Sequence, residues 1–146
     1  MRPIPLLLSA LLFSAVVCGT EPWTDNDLVQ PEQVSKDIRT PLLIHVGFPI
    51  LYRASHIPGS VYAGPGSKEE GIADLKKAVT GQPRTREIVL YCGCCPFDKC
   101  PNIRPAFAAL HEMGFTHVKV MVIPTNLKAD WTDKGYPIDK RAEADK

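Results

Sequence analysis

The sequence predicts an α/β domain with a central, mainly parallel sheet flanked by helices on both faces, and three observations carry that reading. Two short runs, Leu42-Leu43-Ile44-His45-Val46 and Ile88-Val89-Leu90-Tyr91, are continuously apolar apart from His45. Strands that do not alternate with polar residues are usually buried on both sides. Segments of helical spacing separate the runs, so consecutive strands are joined by crossovers and lie parallel. Glycine and proline, at Gly47 and Pro49 and again at Gly93 and Pro96, end the runs sharply.

Residues 1–19 read as a secretory signal peptide. Arg2 precedes an almost wholly apolar stretch from Leu6 to Val17, and the small residues Cys18, Gly19 and Thr20 follow. The stretch is too short to span a bilayer comfortably. The protein is therefore expected to be exported, periplasmic or secreted, with no membrane span once the leader is removed. Lipid attachment at Cys18 is disfavoured, because Val17 stands where a small residue is wanted. Residues 20–140 form the domain and 141–146 a charged tail that frays. With 146 residues and 45% apolar content there is material for one core. The chain has 17 basic and 16 acidic residues, and Arg2 is the only charge lost with the leader. That balance gives no electrostatic reason to expect nucleic acid or an anionic membrane as partner.

Within the domain, residues 23–30 lead into a short helix over 31–38 with Pro31 in its first turn. The strand at 42–46 comes next. His56-Ile57-Pro58-Gly59 forms a turn feeding a second strand that ends at Tyr62. A helix over 68–79 places Ile72, Leu75 and Val79 on one face. Residues 81–86 are a polar link into the central strand, 88–91. Asn102 is expected to cap a helix over 103–113, with Pro105 in its first turn and Gly114 as its stop. A strand over 117–123 and a helical turn over 129–134 carrying Trp131 complete the domain. Trp131 is expected in the core, His45 as a satisfied strand histidine, His56 as a hydrogen bonder in its turn, and His111 and His117 on the surface.

Four of the five cysteines, Cys92, Cys94, Cys95 and Cys100, lie between the central strand and the following helix. A loop entering a helix N-terminus directs unpaired N–H groups at what it holds, which stabilises a thiolate or persulfide and lowers the thiol pKa. The loop N–H groups, Gly93 among them, would hold the sulfur, and Lys99 and Arg104 could bring positive charge to an anionic substrate. In an exported protein a loop disulfide, such as Cys92 or Cys95 with Cys100, stands level with an all-reduced loop. Adjacent Cys94 and Cys95 do not easily aim both sulfurs at one ion, so no metal site and no cofactor is assigned. A phosphatase loop of the form Cys-x5-Arg is argued against, since the positions that would carry arginine are Asp98, Cys100, Pro101 and Ala106.

Taken together, the run 42–46, His56-Ile57-Pro58-Gly59-Ser60-Val61, the strand ending at Cys92, the helix closing on Gly114-Phe115, and Trp131 before Gly135-Tyr136-Pro137 make this chain resemble the rhodanese-like sulfurtransferase domain. The resemblance implies a parallel sheet between helices and a catalytic cysteine at Cys92 that takes a sulfane sulfur as a persulfide and passes it on. It has three departures. His45 and Gly47 stand where Asp and Arg are usual, the loop after Cys92 is longer than the compact form, and paired glycines are missing around Pro124-Thr125-Asn126.

The function expected is transfer of a sulfane sulfur, from a small donor such as thiosulfate or a persulfide, through Cys92 to a thiol acceptor or redox partner protein. Cys94 and Cys95 are candidates to resolve the persulfide or to replace Cys92 should the longer loop re-aim one of them. The alternative is a non-enzymatic thiol-rich module for a soft metal or an exported redox partner.

Overall fold

The computed structural model describes residues 21–140, so the expected leader and the charged tail lie outside the described residues. Five strands form one sheet: β1 (Leu28–Val29), β2 (Leu42–His45), β3 (Val61–Tyr62), β4 (Ile88–Tyr91) and β5 (Val118–Met121). Their order across the sheet is β1-β5-β4-β2-β3, and every pairing is parallel. Among the described residues five helices accompany them, the last following β5: α1 (Pro31–Lys36), α2 (Pro49–Ala54), α3 (Glu69–Ala78), α4 (Ile103–Glu112) and α5 (Leu127–Asp130). Among the described residues, no helix is long and apolar enough to cross a membrane.

The sheet separates two cores, as the unalternating strands require. Ile44, Ile88, Leu90, Val118 and Val120 point to the face covered by α3 and α4, where Leu75, Ile103, Ala106 and Leu110 are buried. Leu43, Val89, Tyr91 and Met121 point the other way, against Val34 of α1, Leu127 of α5 and Trp131. β4 lies in the middle and all four of its residues are buried. Truncating Leu90 to alanine there would cost about 2–5 kcal/mol, through lost transfer energy and the cavity left behind.

This alternation decides where the strand ends aim. Cys92 follows Leu90 by two residues and joins the α3/α4 core. His45 follows Leu43 by two and packs its ring edge-on to Tyr91, the centroids 5.0 Å apart. The two side chains therefore leave neighbouring strand ends toward different faces.

Several elements differ from expectation. The helix α2 was not expected, because Pro49 was read as a stop. Proline is instead the first residue of that helix, where its missing N–H is no loss. None of the residues of α2 is buried, and Phe48 and Ile50 stand exposed, so no apolar face marked it. The strand β1 is two residues long, too short to show a period. Asn102 does not cap α4: its backbone is already helical and its side chain accepts no bond from the helix. The expected helical turn near Trp131 is α5 followed by a 3-10 turn at Thr132–Lys134, and Trp131 is fully buried between them.

Candidate active site

The loop that joins β4 to α4 is fixed along its length. Gly93 turns it with φ of +79°, a left-handed conformation that favours glycine, and a Cβ there would meet Leu127 Cβ at 2.7 Å. The Gly93 carbonyl accepts from Leu127 N at 3.0 Å. Phe97 N donates to the Ile123 carbonyl at 2.9 Å, a 3-10 turn follows over Phe97–Lys99, and the Phe97 ring lies 6.2 Å from that of Trp23. The extra length of this loop is thus folded against the segment after β5, α5 and the N-terminal segment.

Folding the loop back brings its sulfurs together. Cys92 Sγ is 3.1 Å from Cys94 Sγ, and Cys94 Sγ is 3.0 Å from Cys95 Sγ. Cys100 closes the group, since the sulfurs of Cys92, Cys94 and Cys100 all lie within 4.8 Å of one another. All four are free thiols, with Cys92 and Cys100 buried and Cys94 and Cys95 half-buried. Three such sulfurs could also surround a soft cation, and only one member of the adjacent Cys94–Cys95 pair is needed for it.

The depressed thiol of the cluster is Cys100, not Cys92. The Cys92 thiol beside it is the main influence lowering Cys100, to about 6, against the raising effect of burial, with the N–H groups of Asn102 and Ile103 and then the Cys95 thiol adding to it. Cys100 therefore occupies the position at the start of α4 where N–H groups converge. The neighbouring Cys100, and then burial, raise Cys92. Burial, and then the bond to Cys94, raise Cys95. Of the four thiols, Cys100 is thus the one favoured as a thiolate. The cue in the sequence was Cys100-Pro101-Asn102, immediately ahead of the helix.

Asn102 is the other participant that sequence reasoning misplaced. It is fully buried. Its Nδ2 donates to Cys92 Sγ at 3.6 Å, and its Oδ1 accepts from Ser67 N at 3.1 Å. The amide ties the loop ahead of α3 to the thiol cluster.

His45 borders the site from the second strand end. It is fully buried, and Nδ1 accepts from Gly47 N at 3.2 Å while Nε2 has no partner. The expectation of a satisfied histidine therefore holds for one ring nitrogen only. An accepting Nδ1 puts the proton of the neutral ring on Nε2. Burial, reinforced by the charge of His56, lowers its pKa to about 4. His56 does bind its turn, through Nδ1 to the Tyr52 carbonyl at 2.8 Å. Gly47 separates the strand ends, and a Cβ on it would lie 2.8 Å from both Cys92 Sγ and His45 Cε1. The glycine at this position leaves room for the sulfur.

A cavity of about 380 Å³ opens onto the site, with His45, Cys92, Cys94, Asn126 and Lys128 in its lining and α2 as one wall. A larger groove of about 500 Å³ lies between α3 and Pro105 and includes no thiol in its lining. Lys128, at the cavity, is ion-paired with Asp133 at 2.7 Å. Lys99 is exposed. Arg104 forms a bidentate pair with Glu21 and also donates to the Asp98 carbonyl, which holds the loop to the N-terminal segment. Cys92, Gly93 and Cys94 are thus brought to the cavity, Cys95 sits behind Cys94, and Lys99 and Arg104 lie outside its lining.

The family model for the rhodanese-like domain matches residues 25–122, which include both strand ends and the whole cysteine loop. The chain belongs to the rhodanese-like domain family. No curated protein sequence matches it. The rhodanese-like domain superposes on the crystal structure of the BH2092 protein from Bacillus halodurans with a TM-score of 0.62 and 20% identity, over 82% of each chain. Against the solution structure of protein hp1203 from Helicobacter pylori the TM-score is 0.60 at 15% identity, covering 83% of this chain and 96% of the other. The solution structure of the rhodanese-like domain of the Alr3790 protein from Anabaena gives 0.57 at 19% identity, over 82% and 86%. At these identities the likeness is one of fold, and the rhodanese-like sheet and helices account for it.

Proposed function

We propose that the protein is an exported sulfurtransferase that carries a sulfane sulfur as a persulfide on Cys92. The observation that carries this reading is the place of Cys92, at the carboxyl end of the central strand and on the cavity wall, with the sulfurs of Cys94 and Cys100 gathered within 4.8 Å. Cys92 attacks the outer sulfur of a small donor such as thiosulfate or a persulfide, its proton leaving to solvent through the cavity. The donor S–S bond breaks, sulfite or a thiolate departs with its electron pair, and the outer sulfur becomes bonded to Cys92 Sγ. Asn102 Nδ2 steadies the sulfur at Cys92. A thiol acceptor, free or on a redox partner protein, then attacks the outer sulfur and restores Cys92. Steady-state transfer to an external thiol tests the reading: Cys92→Ser falls to background while Cys95→Ser retains turnover, and unchanged transfer in Cys92→Ser would remove Cys92 from the mechanism.

The second reading, a module that binds a soft metal, is favoured by the three mutually close sulfurs of Cys92, Cys94 and Cys100. It requires stoichiometric metal that is lost on changing any one of the three, with no sulfur transfer.

A further inference from the structure

We propose that the site discharges its own persulfide: Cys100 attacks Cys92, hydrosulfide leaves, and a Cys92–Cys100 disulfide remains. This inference rests on the sulfurtransferase reading and changes the outcome of its second half. The protein would then act as a sulfide-releasing reductase of sulfane sulfur, and its turnover would consume an external dithiol.

The geometry that points there is the company Cys92 keeps. Cys92 is 1% exposed, so an external thiol must enter the cavity to reach it, whereas the Cys100 sulfur already lies within 4.8 Å. A reactive group held beside its target behaves as if present at an effective concentration of up to about 10⁵–10⁸ M in well-oriented cases. Even a small part of that advantage exceeds what a dissolved thiol offers. Cys94 is closer still, at 3.1 Å, but it is only two residues from Cys92, and a bridge between them would have to close a very small ring. Cys100 is eight residues away along a loop already anchored by Leu127, Ile123 and the helix start. The lowered pKa of Cys100 raises its thiolate fraction, which suits it to attack.

The step balances without a further reactant. The Cys100 thiolate supplies the electron pair for the new bond to Cys92 Sγ, the bond from Cys92 Sγ to the outer sulfur breaks, and its pair leaves on hydrosulfide. Both cysteines are oxidised, and the sulfane sulfur is reduced to sulfide. A dithiol entering the cavity then attacks the Cys92 sulfur of the disulfide, frees Cys100 as the thiolate, and its second thiol releases Cys92 as the dithiol closes to its own disulfide.

The test is a single turnover. The reduced full-length protein is freed of reductant and treated with thiosulfate, and sulfite, hydrosulfide and the intact mass are followed, with peptide mapping. The expected result is one sulfite and one hydrosulfide per chain, loss of two hydrogens in mass, a mapped Cys92–Cys100 disulfide, and a second turnover only after dithiothreitol is added. In Cys100→Ser, and equally in Cys100→Ala, the mass of one sulfur should persist on Cys92, with hydrosulfide release slower by at least about 100-fold, a small part of the proximity advantage. Sulfite with a lasting sulfur on wild-type Cys92 and no hydrosulfide overturns self-discharge and leaves the sulfurtransferase reading standing. A disulfide mapped to Cys94 overturns the role of Cys100. Neither sulfite nor adduct from the wild type overturns both.

Discussion

The carboxyl ends of β2 and β4 lie side by side, and each buries a titratable group that the other treats differently. His45, at the end of β2, has a single backbone partner and aromatic neighbours, and it stays uncharged, with its pKa lowered to about 4. Cys100, beyond β4, is buried just as deeply, yet its pKa is lowered to about 6, which favours the charged form. The difference lies in the partners and not in the depth. Burial without donors favours the neutral form, whereas a second thiol and two N–H groups at a helix start outweigh the same burial. The site thus combines a neutral wall with one localised anion.

The change with the largest expected effect falls on the charged end. Cys100→Ser removes the anion, and thiolate absorbance in the ultraviolet should no longer develop near pH 6; an unchanged titration would move the charge to another sulfur. The neutral end shows itself in stability toward acid. An unfolded histidine binds its proton near 6.5 and buried His45 only near 4, so between these values the unfolded chain binds more protons. Stability from this source is complete above about pH 6.5 and is lost as pH falls toward 4, by at most on the order of 3 kcal/mol. Denaturant titrations at several pH values check this, and His45→Leu should flatten that part of the profile.

Gly47→Ala probes the space between the two ends. Its Cβ would press on both Cys92 Sγ and His45, and overpacking of this kind costs about 1–3 kcal/mol with repositioning of the sulfur. A fully stable variant with unaltered sulfur transfer would show that the gap is not needed. The smallest effect belongs to Lys99→Ala. The residue is exposed and outside the cavity lining, so stability should change by no more than about 0.5 kcal/mol, measured by thermal unfolding.

The framework was legible in the sequence because long-range burial leaves a local trace. Ile88 to Tyr91 is apolar throughout since both its faces are covered, and Ile72, Leu75 and Val79 repeat at helical spacing since one side of α3 is covered. α2 left no such trace, having no buried residue, and yet it forms a wall of the cavity. The site was legible as a place and less so as an arrangement. Cys92 had to lie at a strand end, but the proximity of Cys100 depends on how the loop folds over Ile123 and Leu127, which no local pattern encodes. Asn102 carried a strong cap signal, and the structure uses its amide to join Ser67 to Cys92 instead. Arg104 had the charge expected of an anion binder, and Glu21, distant in sequence, takes it up.

The central claim is that Cys92 is the sulfur carrier, and one measurement reaches it directly. Thiosulfate labelled in its outer sulfur is mixed with the reduced protein, the reaction is quenched in acid within the first turnover, and the loop peptide is mapped. The account expects the label bonded to Cys92, and more of it when Cys100 is serine. Label found first on Cys94 or Cys95, with Cys92 unmodified, would contradict it and move the chemistry to the half-buried thiols.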